Sequence, residues 1–222
     1  MKRNKTSRAW VHRHLTDPYV RQARDQGYRS RAAFKLLEIA QRDRLLRPGM
    51  TVVDLGAAPG GWSQAAVGAV APRGRVLAVD LLDMAPIAGV IFVRGDFREP
   101  AVWQQIEKML RDDRPDLVLS DMAPNLSGVA VVDQARALAL AERALEFAVR
   151  WLKPEGAFLV KAFHGDGFET FRKHMIASFR IVHERKPKAS RDTSSESFLL
   201  GRMPLSGGQL AREPLDGAGS AL

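Results

Sequence analysis

From residue 50 onward, short apolar runs rich in β-branched residues recur along the chain: MTVVDLG, RVLAVDL, VIFVRGD, DLVLSDM and AFLVKAF. Each run is continuous rather than alternating and ends in polar residues, which predicts strands buried on both faces. Helical stretches separate most of them. The clearest extends from about Val131 to Leu152, with Leu138, Leu145 and Leu152 on one face and Glu146 pairing with Arg150 outside. An earlier helix is expected to be capped by Ser30 and to run to about Leu46, with Phe34, Leu37 and Leu45 inward, before Pro48-Gly49 breaks the chain. A helix near 167–177 precedes FRIVHERK and ESFLLGR, which read as a closing pair with the last strand antiparallel. Strands alternating with helices imply an α/β fold, a mostly parallel sheet with helices on both faces. Residues 1–29 read as a basic arm, irregular or partly helical. Residues 30–203 form the domain, and 204–222, rich in Gly, Ala, Leu and Ser, a flexible tail.

Charge sharpens this picture once it is located. The chain of 222 residues carries a net +9. Residues 1–35 hold +8 and residues 172–191 hold +6, around a middle (36–171) of −3. Positive charge gathered at two flanks suits a polyanion, because Lys and Arg displace counterions from phosphates. The absence of cysteine excludes disulfides and thiolate metal sites and fits a reducing compartment. The histidines show no metal spacing, so no metal is expected. No apolar run reaches the ~20 residues of a membrane helix, and no apolar stretch follows the basic start to make a secretory signal.

In open parallel sheets, ligands bind beyond the carboxyl ends of the strands. Five successive runs place Asp54, Asp80, Asp96, Asp121 and Lys161 at that end. The first loop, DLGAAPGGWSQ, has glycines at 56, 60 and 61 for a tight turn and close approach to a ligand. The helix behind it offers free N–H groups to a carboxylate. Its spacing is not the G-x-G-x-x-G of a dinucleotide site. Asp80 suits two ribose hydroxyls, and Asp96 lies where an adenine would follow. Each residue also has a plainer reading. Lys35 would pair with Glu38 one turn on, Asp121 would cap a turn before Pro124, and Trp62 would be packing at a helix start.

Together, DLGAAPGGWSQ, SDMAPNLSG (120–128), FLVKAF with Lys161, and SRAAFKL with Lys35 resemble the FtsJ-like ribose methyltransferases, over about Leu15 to Gly201. The resemblance implies a Rossmann-like S-adenosylmethionine methyltransferase fold, with a seven-stranded mostly parallel sheet and one antiparallel strand. It implies a catalytic set of Lys35, Asp121, Lys161 and Glu196, and cofactor contacts from Gly60, Trp62, Asp80, Asp96 and Asp121. It implies methylation of a uridine 2′-hydroxyl in 23S ribosomal RNA of the large ribosomal subunit; a monomer in the cytoplasm is expected. Between the last two strands the chain reads SRDTSSES, where related members are more basic. A strand antiparallel to its neighbours begins at the edge where they finish, so Glu196 is expected beside Asp121 and Lys161. A nicotinamide oxidoreductase and a non-catalytic ribosome-assembly factor are the rival readings.

Overall fold

The computed structural model describes residues 16–111, 113–125, 127–191 and 194–205. Two helices, α1 (Pro18–Asp25) and α2 (Ala32–Asp43), precede the alternating part. There follow β1 (Thr51–Leu55), α3 (Gly61–Val70), β2 (Arg75–Asp80), β3 (Val90–Arg94), α4 (Pro100–Leu110) and β4 (Leu117–Ser120). Then come α5 (Ala130–Trp151), β5 (Ala157–Phe163), α6 (Phe168–Ser178), β6 (Phe179–Arg185) and β7 (Glu196–Pro204). The strands form one seven-stranded sheet in the order β3-β2-β1-β4-β5-β7-β6, parallel except for β7, which runs antiparallel to β5 and β6. Strand order reverses between β1 and β4, and a crevice opens beyond the carboxyl ends at such a reversal.

Side chains alternate across a strand, so an uninterrupted apolar run feeds two cores. Val53, Leu77, Val79, Val118, Phe158, Val160 and Leu199 face α4, α5 and α6. Val52, Val76, Leu117, Leu119, Leu159, Phe198 and Leu200 face α2 and α3, meeting Leu36, Ile39, Trp62 and Ala66. The same alternation sets the site. Asp54, Asp80, Asp121, Lys161 and Glu196 all stand at positions of the second face, the one that α2 and α3 cover.

Three local expectations are corrected. Ser30 does not cap α2: the cap position is Arg31, with no side-chain capping bond. The inward residues of α2 are Ala33, Lys35, Leu36 and Ile39, while Phe34 and Leu37 are half-buried. Phe34 instead packs on Tyr19 and Tyr28, because α1 lies against that side. On α5, Glu146 pairs with Arg143, whose guanidinium lies 3.9 Å from the Trp103 ring centre, and Arg150 turns to Trp151. Residues 1–15 of the expected arm and 206–222 of the expected tail lie outside the described residues. Among the described residues, no helix is long and apolar enough to cross a membrane.

Candidate active site

Each member of the Lys–Asp–Lys–Glu set is delivered by a different element. Lys35 comes from the buried face of α2. Asp121 follows β4 directly, Lys161 sits near the end of β5, and Glu196 opens β7. Lys35 Nζ lies 2.5 Å from Glu196 Oε1, with 11% of each side chain exposed. Lys161 Nζ donates to the Asp121 main-chain carbonyl at 2.7 Å and lies 2.9 Å from its carboxylate oxygen, its side chain 8% exposed. The β5–β7 register joins the two pairs: Lys161 stands opposite Phe198 and Phe163 opposite Glu196. Lys35 Nζ approaches the Phe198 ring and Lys161 Nζ the Phe163 ring, each at 5.7 Å.

Burial pushes the Glu196 carboxyl up, but the Lys35 ammonium outweighs it, with Ser190 and Lys161 adding, so the group sits below its usual value. Glu196 is therefore an anion at neutral pH. Its strand end is fixed by Lys186, which donates to the main-chain oxygens of Ser194 and Glu196. Helix α2 has no ladder bonds to hold it, so side chains do. Asp43 takes two bonds from Arg185, Glu38 accepts from the Lys188 amide, and Lys35 meets Glu196. Glu38 is thus engaged elsewhere, and Lys35 does not pair with it.

On the other side of the crevice, the loop after β1 turns through Gly56 and Gly60, at φ +78° and +106°. A Cβ on Gly56 would stand 2.4 Å from Met122 Cγ, so only glycine lets the β1 and β4 loops close together. Asp80 accepts from the Ala58 amide at 2.9 Å and the Leu82 amide at 2.8 Å, holding this loop against the end of β2. Asp96 is already gripped by Arg98, which donates from its main chain and its guanidinium and holds the carboxyl below its usual value. Any further contact at Asp96 competes with that arginine.

Asp54 is not at the crevice mouth, as its place in the run suggested. It lies inside β1 with no exposed surface. Ser63 Oγ donates to one of its oxygens at 2.6 Å, and the other is buried without a partner. Burial, with the Asp121 and Asp80 charges, overrides Ser63 and pushes its pKa up to about 7. Trp62 is also turned inward. Its indole N–H donates to the Ala32 carbonyl at 2.8 Å and its ring packs on Phe198. Only its main-chain amide, in the open first turn of α3, is left for a ligand.

A family model for FtsJ-like methyltransferases matches residues 28–203. The chain belongs to that family. It is 62% identical over 201 residues to the ribosomal RNA large subunit methyltransferase E of Azoarcus sp. (strain BH72), covering 90% of this chain and 98% of that one. Its identity to the protein of that name from Thiobacillus denitrificans is 60% over 204 residues, covering 92% and 93%. Among solved structures, one described as a ribosomal RNA methyltransferase from Plasmodium falciparum superposes with a TM-score of 0.71 at 26% identity, covering 80% of this chain and 99% of that one. The chain is therefore a methyltransferase, and its site must accommodate a methyl donor.

In this FtsJ-like chain the fold brings all four charged residues of the expected set to one sheet face, as two ion pairs. It brings Gly60 and Asp80 to the adjoining loop and leaves Asp96 paired at the rim. Motif reading passed over Asp17, a buried carboxylate that N-caps α1 and joins Arg31 to Arg191 of the β6–β7 loop. Its signal was present: Asp17-Pro18 is an N-cap followed by proline at the first helical position. Arg29 was passed over as well, and no local signal marks it.

Proposed function

We propose that this methyltransferase transfers a methyl group from S-adenosylmethionine to the 2′-hydroxyl of a uridine in the 23S ribosomal RNA of the large subunit, acting as a monomer in the cytoplasm. The observation that carries the reading is the pairing of Lys161 with Asp121 at the sheet edge, beside the Lys35–Glu196 pair on the same face. The relatives named for the ribosomal RNA of the large subunit support that substrate class.

The residues fit the cofactor. Gly60 admits close approach, the amides of Gly61 and Trp62 belong to the first turn of α3, where N–H groups lack helical partners, and Asp80 and Asp121 stand at the adjoining strand ends. Gly60, the Trp62 amide, Asp80, Asp96 and Asp121 would hold the cofactor. Bound there, it would supply an electrophilic methyl group on a cationic sulfur, with a neutral thioether as the leaving group. This chain's task is alignment and removal of the hydroxyl proton.

Lys161 takes that proton once its ammonium, paired with Asp121, has released its own to solvent. Asp121 fixes Lys161 through its carbonyl and carboxylate, while Lys35 and Glu196 orient the hydroxyl. The basic arm (1–29) and the segment 172–191 supply phosphate contacts that position the RNA without reading its sequence. Equilibrium binding separates this reading from a nicotinamide enzyme: S-adenosylhomocysteine should bind and NAD should not. Mapping ribose methylation of large-subunit RNA with and without the gene should then show one uridine methylation lost. No loss would remove the proposal.

A further inference from the structure

Arg29 lies in the segment joining α1 to α2, outside the sheet and outside the catalytic set. Its guanidinium reaches two different loops. Nη1 donates to the Ala85 carbonyl at 2.5 Å and the Pro59 carbonyl at 3.4 Å, and Nη2 to the Pro86 carbonyl at 2.6 Å. Pro59 belongs to the glycine loop after β1, whereas Ala85 and Pro86 belong to the stretch after β2. Among the described residues, no other hydrogen bond reaches these three oxygens, and no carboxylate pairs with Arg29.

The stem of the side chain is placed as deliberately as its head. A Cβ on Gly60 would stand 3.2 Å from Arg29 Cδ, with Met84 Sδ at 2.9 Å and Ile87 Cδ1 at 2.8 Å. The arginine thus lies along the same glycine that the two loops enclose. Its main chain is anchored too: the Arg29 amide donates to Gln64 Oε1 at 3.0 Å, and Gln64 Nε2 returns to the Gly27 carbonyl at 2.8 Å. Gln64 is on α3, directly behind the glycine loop. One residue of the basic N-terminal region therefore ties together the loop after β1, the loop after β2 and the first turns of α3.

We infer that Arg29 is a positioning residue for the cofactor: it clamps the two loops into the shape that receives the adenosyl ligand. The inference rests on the proposed reading of the glycine loop as the cofactor cradle. A guanidinium suits the task because its planar fork spans several acceptors at once, where an ammonium offers a single point charge. A carbonyl left without its donor, and a loop freed to sample other shapes, lower the share of molecules ready to bind. If that share falls to about a tenth, the apparent Kd rises about tenfold.

The test titrates S-adenosylhomocysteine into the full-length protein, wild type against Arg29→Met and Arg29→Lys. Methionine keeps an apolar stem over Gly60 and removes every donor. Arg29→Met should bind about tenfold more weakly, and Arg29→Lys should fall between it and the wild type. The KM for S-adenosylmethionine should rise in step while kcat at saturation stays within about twofold. Arg29→Met binding within about twofold of wild type overturns the inference, as does a variant that loses RNA affinity while keeping that for S-adenosylhomocysteine. Should Arg29→Met not fold, Arg29→Lys decides on the same terms, with a loss of at least about threefold expected. A wild-type protein that does not bind S-adenosylhomocysteine removes the cofactor reading itself and this inference with it.

Discussion

Lys35 on α2 and Glu196 at the head of β7 meet at 2.5 Å with little of either side chain left to solvent. A buried pair of this kind is costly to break from one side, because the remaining charge keeps its burial and loses its partner. Lys35→Met alone should destabilise the protein by about 3 kcal/mol. Combined with Glu196→Gln, the cost should fall short of additivity by about 1–3 kcal/mol in chemical denaturation. The Glu196 carboxyl is held low in the folded protein, so the coupling is present above its unfolded value of 4.5 and lost as pH falls through the folded value. Strict additivity at neutral pH would mean that the two groups do not act as a pair.

Asp54 has the opposite linkage. Its folded value is raised to about 7 from 3.8, so between those values the native protein holds a proton that the unfolded chain releases. Its contribution to stability is full in acid and disappears as pH rises through about 7. Asp54→Asn keeps an acceptor for Ser63 and removes the titration. The melting temperature of the variant, relative to wild type, should climb steadily between about pH 4 and pH 8. A flat difference across that range would mean that the buried carboxyl is not protonated.

How legible was all this in the chain? The sheet was, because seven short apolar runs, most of them separated by helical stretches, leave few arrangements. So was the arrival of Glu196, because an antiparallel strand must begin where its neighbours end. Local pairing rules did less well. Glu146 was expected on Arg150, but Arg143, also one turn away, has the Trp103 face beside it. Phe34 was expected in the sheet core, and α1 claims it instead. Asp54 sits one residue deeper than the strand end suggested, which changes a solvated acid into a buried one whose value is raised to about 7. Arg29, Asp17 and the Asp43–Arg185 tie depend on contacts between distant segments, and no spacing in the sequence records those.

Trp62 separates packing from ligand contact. Its indole belongs to the core under α2, and its main-chain amide lies in the first turn of α3. Trp62→Phe should cost about 1–3 kcal/mol of stability through the smaller ring and the missing bond to Ala32. Affinity for S-adenosylhomocysteine, measured well below the melting temperature, should stay within about twofold of wild type. A large loss of affinity in a folded variant would place the ring, rather than the backbone, against the cofactor.

The N-terminal charges are open to a salt titration. Neutralising Lys2, Arg3, Lys5 and Arg8 should weaken RNA binding and flatten its dependence on salt. The slope of log K against log salt should drop by about 0.7–0.9 for each phosphate that the protein no longer neutralises. An unchanged slope would exclude these residues from the RNA footprint.

Methyl transfer itself is tested by supplying S-adenosylmethionine with a labelled methyl to large ribosomal subunits from cells lacking the protein, then digesting the RNA to nucleosides. The wild type should place label in 2′-O-methyluridine. Lys161→Ala, shown by titration to bind S-adenosylhomocysteine and RNA as the wild type does, should place essentially none. Label appearing on a base, or full turnover without the Lys161 amine, would contradict the account.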